Sequence, residues 1–118
     1  SDNRDVQAAS LEGNKRAQLV SDMLVYEIKK YIGSYAAAMN GLDAVLFTGG
    51  IGENSYEVRE GVCEDMDYFG IKIDKELNRR ERGKLVKIST PDSKVEVWIV
   101  PTNEELLIAR DTLALISK

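Results

Sequence analysis

The sequence predicts an α/β domain. Three observations carry that prediction. A helical apolar periodicity runs over residues 11 to 39, a short apolar run "DAVLF" enters a cluster of glycines, and a β-rich run "VEVWIV" is followed by a second helical stretch. Helices interleaved with short apolar strands argue for helices layered on a sheet, with the last strands forming its mixed or antiparallel part. The chain of 118 residues is enough for one domain with one core, and no repeat, low-complexity stretch or linker divides it.

Each element follows from local pattern. Ala17, Val20, Leu24, Ile28, Tyr31, Tyr35 and Met39 step by three or four, with Lys15, Arg16, Gln18, Asp22, Lys29 and Lys30 between them. That spacing predicts one long helix over residues 11 to 39, stopped by Asn40-Gly41. "DAVLF" is too short for a helix and reads as a strand buried on both faces. After the glycines, Asn54 to about Tyr68 reads as a helix, Asn54 and Glu57 having capping-box spacing. Strands are expected at Ile71–Ile73 and Leu85–Ile88, a turn at "TPDSK", and a strand in "VEVWIV" that starts near an edge and ends buried. A last helix begins at about Asn103.

Composition narrows the function. Hydrophobic residues make up 43% and charged residues 31%, with net charge −4, the balance of a soluble globular protein. No cluster of Lys and Arg points to nucleic acid or an anionic membrane, and no apolar run approaches a membrane span. No signal-peptide pattern opens the chain. A single cysteine, Cys63, excludes an internal disulfide framework and fits a reducing cytoplasm. Histidine is absent, so no histidine base or histidine-ligated metal can come from this chain. Cys63 itself reads as a small buried hydrophobe, Trp98 as core or interface, and "NRRERGK" at 78 to 84 as a solvated basic loop.

The informative stretch is "LFTGGIGENS", with Gly49, Gly50 and Gly52 where a strand hands over to a helix. It is not a Walker A loop, since no Gly-Lys-Ser/Thr follows. Nor is it a dinucleotide fingerprint, which needs a third spaced glycine further on. The plainer reading is a sharp strand-to-helix turn. The functional one is a ligand loop, because the carboxyl ends of strands in α/β sheets are where ligands bind and glycine lets backbone approach them. Arg59 can either brace this turn or pair with an acidic neighbour.

The whole string resembles the adenosine-contacting loop of the acetate kinases, members of the sugar kinase, Hsp70 and actin superfamily. "SDNRD", "IGSYAAAMNGLDAV" and "ISTPDSKVEVWIVPTNEELLIARDT" resemble other segments of that family in the same order, so the likeness covers essentially the whole chain. It implies a ribonuclease H-like domain, a mixed sheet flanked by helices, forming the C-terminal nucleotide-binding portion of an enzyme several times longer. It implies that Gly49, Gly50, Ile51, Gly52, Glu53 and Asn54 contact ATP or ADP, and that Asp2, Asn3 and Arg4 form a second nucleotide-contacting segment. Asn3 departs from the bulkier residue usual there. Without the family, "SDNRD" reads as a solvated tail. Glu104 falls on the acidic residue that helps hold Mg²⁺ through water, although Thr102 and Glu105 also have the spacing of a helix cap. The resemblance further implies a homodimer and the reaction of ATP with acetate to give ADP and acetyl phosphate, with the acetate-side residues outside this chain. The chain alone is then expected to be inactive. Kept open beside this are a non-catalytic nucleotide-binding or dimerisation module and a butyrate or propionate kinase.

Overall fold

The structure, a computed structural model, describes the backbone of residues 2–102 and the side chains from residue 12 on. Helix α1 runs Asp2–Met39, strand β1 Ala44–Phe47, helix α2 Gly49–Asn54 and helix α3 Tyr56–Cys63. A 3₁₀ turn follows at Asp67–Phe69, then helix α4 Lys75–Arg80, strand β2 Val86–Lys87 and strand β3 Glu96–Ile99. The strands form a mixed sheet in the order β1-β3-β2. β1 lies parallel to β3 with Ala44 opposite Glu96 and Phe47 opposite Ile99, and β2 is antiparallel to β3 with Val86 opposite Ile99. The expected α/β class with helices flanking a mixed sheet therefore holds.

The core forms where β3 meets α3. Val97 and Ile99 from β3 are buried with Phe47 from β1, Val58 and Val62 from α3, and Met66, Ile71 and Ile88 from the connecting segments. Central position explains β3: its apolar side chains alternate onto the helix-covered face while Glu96 stays exposed. Cys63 is buried, and burial pushes its thiol up to about 12, as an inert core residue requires. The turn at 90 to 93 holds as expected. Thr90 Oγ1 donates to Asp92 at 2.6 Å and Lys72 Nζ donates at 2.9 Å, and these bonds hold the Asp92 carboxyl at about 2.

Several expectations are corrected. Helix α1 begins nine residues earlier than the periodicity predicts, because Val6, Gln7, Ala8 and Ala9 are acceptable helix residues even without an apolar stripe. Its stripe is also out of phase. Leu24, Val25, Ile28 and Ile32 pack on the core and Ala36 is buried, whereas Val20, Tyr31, Tyr35 and Met39 are more than half exposed. The sequence carries two apolar faces, and periodicity alone cannot rank them. The stop at Asn40-Gly41 is as expected: Asn40 has φ +60° and the Gly41 N–H donates to Ala36 O at 2.8 Å. β1 is not buried on both faces, since it pairs only with β3 among the described residues and Leu46 is 47% exposed.

The helix expected from Asn54 to Tyr68 is shorter, α3 ending at Cys63 with a 3₁₀ turn after it, and the glycines expected as a turn form a separate helix, α2, that ends before Ser55. Ser55 Oγ accepts the Val58 N–H at 3.3 Å and caps α3, while Asn54 Nδ2 donates back to Gly50 O at 2.9 Å. The cap is thus one residue later than the predicted Asn54–Glu57 box. The strand expected at Ile71–Ile73 reduces to one bridge between Ile73 and Ser89, and the next strand to Val86–Lys87. The start of the basic run is not a solvated loop. Asp74 Oδ1 accepts the Leu77 N–H at 3.1 Å and starts α4, whose Asn78 is fully buried. The helix expected from Asn103 lies outside the described residues.

Candidate functional site

Because β1 and β3 are parallel, their carboxyl ends lie at the same edge of the sheet. β1 leads there into the glycine turn and β3 into Pro101 and Thr102. The two exits meet: Thr102 Oγ1 donates to Glu53 Oε2 at 3.2 Å. This edge is the position at which open α/β sheets bind ligands.

The three glycines answer to different demands. Gly49 sits at φ +75°, a left-handed conformation that side chains disfavour. Gly52 is set by packing, since a methyl group there would stand 3.2 Å from the carbonyl carbon of Phe47 and 3.5 Å from its Cα. A side chain at Gly52 would push α2 off β1. Gly50 has neither constraint. Its φ is ordinary, and a side chain there would meet nothing within 4 Å among the described residues. Beside it Ile51 is 55% exposed, an apolar side chain left in the open next to bare backbone.

Beneath the turn lies Arg59, which is 0% exposed. Its Nη1 donates to Gly52 O at 3.0 Å and to Glu53 O at 2.9 Å. Its Nη2 donates to Asn78 O and to Glu81 O, each at 2.8 Å, and Nε donates to Asn78 Oδ1 at 2.6 Å. All five N–H groups of the guanidinium are used. Of the two readings left open by the sequence, the brace is the one observed; no acidic side chain is a hydrogen-bond partner of Arg59 among the described residues. Burial, and then the nearby Arg82 charge, lower its pKa. The dipoles of carbonyls at the carboxyl ends of α2 and α4 offset that cost. Asn78 is the functional-site neighbour that sequence reading missed: its Nδ2 donates to Tyr56 O at 3.1 Å, so its side chain satisfies one backbone carbonyl and one guanidinium at once. An asparagine in a basic run carries no signal of that.

The other expected site residues divide as follows. Gly49, Gly50, Ile51, Gly52, Glu53 and Asn54 form α2 itself. The Glu53 and Asn54 side chains are engaged within the protein, the first with Thr102 and the second with Gly50. Asp2, Asn3 and Arg4 form the first turn of α1, and their side chains lie outside the described residues, as does Glu104. Among the described residues no group of three or more acidic, cysteine or histidine side chains is arranged to hold a metal. Bare backbone at Gly50 fits a flat ligand.

Parallel strands delivering a glycine turn and a second loop to one edge define an α/β domain of the open-sheet kind. Comparison with known proteins makes this specific. The chain belongs to the acetokinase family, whose model matches residues 1–110. It is 55% identical to an acetate kinase of Bacteroides thetaiotaomicron over its whole length, which is 30% of that protein. The crystal structure of Porphyromonas gingivalis acetate kinase superposes with a TM-score of 0.76 at 51% identity, covering 96% of this chain and 28% of that one. A propionate kinase from Francisella tularensis superposes with a TM-score of 0.66 at 32% identity, covering 90% of this chain and 27% of that one. The chain thus spans about 30% of the length of the curated relatives it matches.

Proposed function

We propose that this chain, as one domain over residues 1–118, is the C-terminal, adenine-nucleotide side of an acetate kinase. In that reaction an acetate oxygen forms a bond to the γ-phosphorus of ATP as the bond to the β–γ bridging oxygen breaks, giving acetyl phosphate and ADP. Transfer of this kind depends on positioning and charge stabilisation. The part assigned here is positioning. Gly49, Gly50, Ile51, Gly52, Glu53 and Asn54 offer the surface for the nucleoside, Gly50 as bare backbone and Ile51 as an apolar wall. Asp2, Asn3 and Arg4 supply a second nucleotide contact. When bound, Mg²⁺ neutralises phosphate charge; Glu104 would hold it, through water as that ion prefers.

The observation that carries this reading is Gly50, the one glycine of the turn that neither its φ nor a contact with the described residues requires. An ADP titration followed by NMR on the wild type and on Gly50→Val tests it. Binding should be weak, because the acetate and phosphoryl contacts come from outside this chain, and each lost factor of ten in affinity corresponds to about 1.4 kcal/mol. We expect shifts at residues 49 to 54 in the wild type and their loss in the variant. Equal shifts in both proteins would remove the reading. Gly50→Val is a clean probe, since the side chain enters open space and does not touch the core.

Two further parts of the proposal follow. The acceptor is acetate rather than a longer acid on the weight of the family relatives, although a structural relative is a propionate kinase and the acyl pocket is not built from these residues. The chain also contributes a self-association face, forming a homodimer through the exposed apolar side of α1. Among the described residues no helix is long and apolar enough to cross a membrane, and a reduced, buried Cys63 suits the cytoplasm.

A further inference from the structure

Helices α2 and α4 have six residues each. In a helix that short the carbonyls of the last turn, which lack an intrahelical partner, are a large share of the whole, and neither helix would persist alone. Both end against the same side chain. The Arg59 guanidinium takes Gly52 O and Glu53 O from the end of α2, and Asn78 O and Glu81 O from the end of α4. The segment after α4 closes on the same point: the Gly83 N–H donates to Glu53 O at 3.0 Å, with Gly83 at φ +58°. Gly50 and Ile51, which Arg59 does not contact, are open among the described residues.

We propose that Arg59 is the positioning residue of the glycine turn. It fixes α2 relative to α4 and the Glu81–Gly83 segment, and through that position it sets nucleotide affinity without touching the nucleotide. The functional half of this rests on the nucleotide reading of the turn. The planar fork is essential to it. One terminal nitrogen, Nη1, serves two carbonyls at the end of α2 and the other, Nη2, two at the end of α4, and a lysine, which offers a single ammonium on a flexible stem, keeps the charge but cannot span them.

The test is amide hydrogen exchange and ADP titration on the whole chain with Arg59→Lys. Ser55 N–H, bonded to Ile51 O, and Gly83 N–H, bonded to Glu53 O, report the turn, while Ile88 N–H, bonded to Val97 O, reports the core. We expect exchange about tenfold or more faster at Ser55 and Gly83 with Ile88 unchanged, since local openings respond to local contacts. ADP affinity should fall about tenfold with the same residues shifting. Unchanged exchange at Ser55 and Gly83 would overturn the proposal. So would an equal acceleration at Ile88, because Arg59 would then be ordinary core. If the wild type shows no ADP shifts, the nucleotide reading falls with the affinity claim, and the exchange pattern still decides the brace. Should Arg59→Lys fail to fold, Asn78→Ala keeps four of the five guanidinium bonds and must produce the same local pattern in weaker form.

Discussion

The long helix α1 and the pair of short helices α2 and α4 are held by opposite means. α1 has 38 residues, satisfies its backbone internally, and needs the core for only one stretch of one face. Its other face leaves Leu19, Val20, Met23, Tyr26, Tyr31, Tyr35 and Met39 in the open. α2 and α4 have only six residues each, so much of their backbone lies in an unpaired last turn, and one buried cation collects those loose ends. A helix that is stable by length can spare a face for a partner. A turn that must be both bare and accurately placed gets its order from outside itself.

The largest effect should come from removing the cation. Arg59→Ala strands the Gly52, Asn78 and Glu81 carbonyls and Asn78 Oδ1 without donors, Glu53 O keeping the Gly83 N–H, and buried polar groups left unpaired cost about 1–3 kcal/mol each before relaxation. We expect a loss of at least about 3 kcal/mol by urea unfolding. Retention of wild-type stability would mean that water replaces the guanidinium and that the short helices need no brace.

Next is the docking of α1. A methyl group at Gly61 would stand 3.0 Å from Val25 Cγ2 and 3.3 Å from Cγ1, and a valine cannot swing clear because it is branched at Cβ. Gly61→Ala should wedge α1 from α3 and cost about 1–3 kcal/mol, offset in part by better helix propensity. A neutral or stabilising outcome in thermal melting would show that α1 is held more loosely than its packing implies.

Smaller still is the tie between α3 and α4. Arg79 Nε and Nη2 donate to Glu60 Oε1 and Oε2 at 2.9 and 3.0 Å, and this bond depresses the Glu60 pKa below its ordinary 4.5. A depressed carboxyl stabilises the fold above pH 4.5 and loses that contribution as pH falls through its folded value. Glu60→Gln should therefore cost up to about 1 kcal/mol at pH 7 and nothing at strongly acidic pH. A cost that does not change with pH would rule out the charge as its cause.

The smallest effect on stability, and the largest on assembly, is expected on the open face of α1. Tyr31→Glu with Tyr35→Glu replaces two exposed, stacked rings whose centroids are 6.1 Å apart. Folding stability should move by less than about 0.5 kcal/mol. Sedimentation should show the wild type as a dimer and the double variant as a monomer. A monomeric wild type at high concentration would count against self-association through this helix.

What the sequence disclosed follows from how local each signal is. β1 and the stop after Met39 are written in adjacent residues and were readable there, whereas the glycines, read as a turn, form the short helix α2. The phase of α1 was not, because a helix with two apolar faces has two valid stripes and only the rest of the fold chooses between them. α4 was missed because six residues are too few to show a period, although Asp74 before it, Glu76 in its first turn and Arg79 and Arg80 in its last are the usual end signals. Arg59 was visible as a candidate but its role was not. Its partners are mostly backbone carbonyls, which every residue has, so no side-chain pattern could announce them.

Cys63 turns the core into its own reporter. With the thiol at about 12, only about one folded molecule in ten thousand carries a thiolate at pH 8, and that one is shielded from a reagent. Every opening of α3 returns the group to ordinary reactivity. Alkylation of this single thiol therefore keeps time for the interior, counting how often the layer beneath the glycine turn comes apart, without any label having been added.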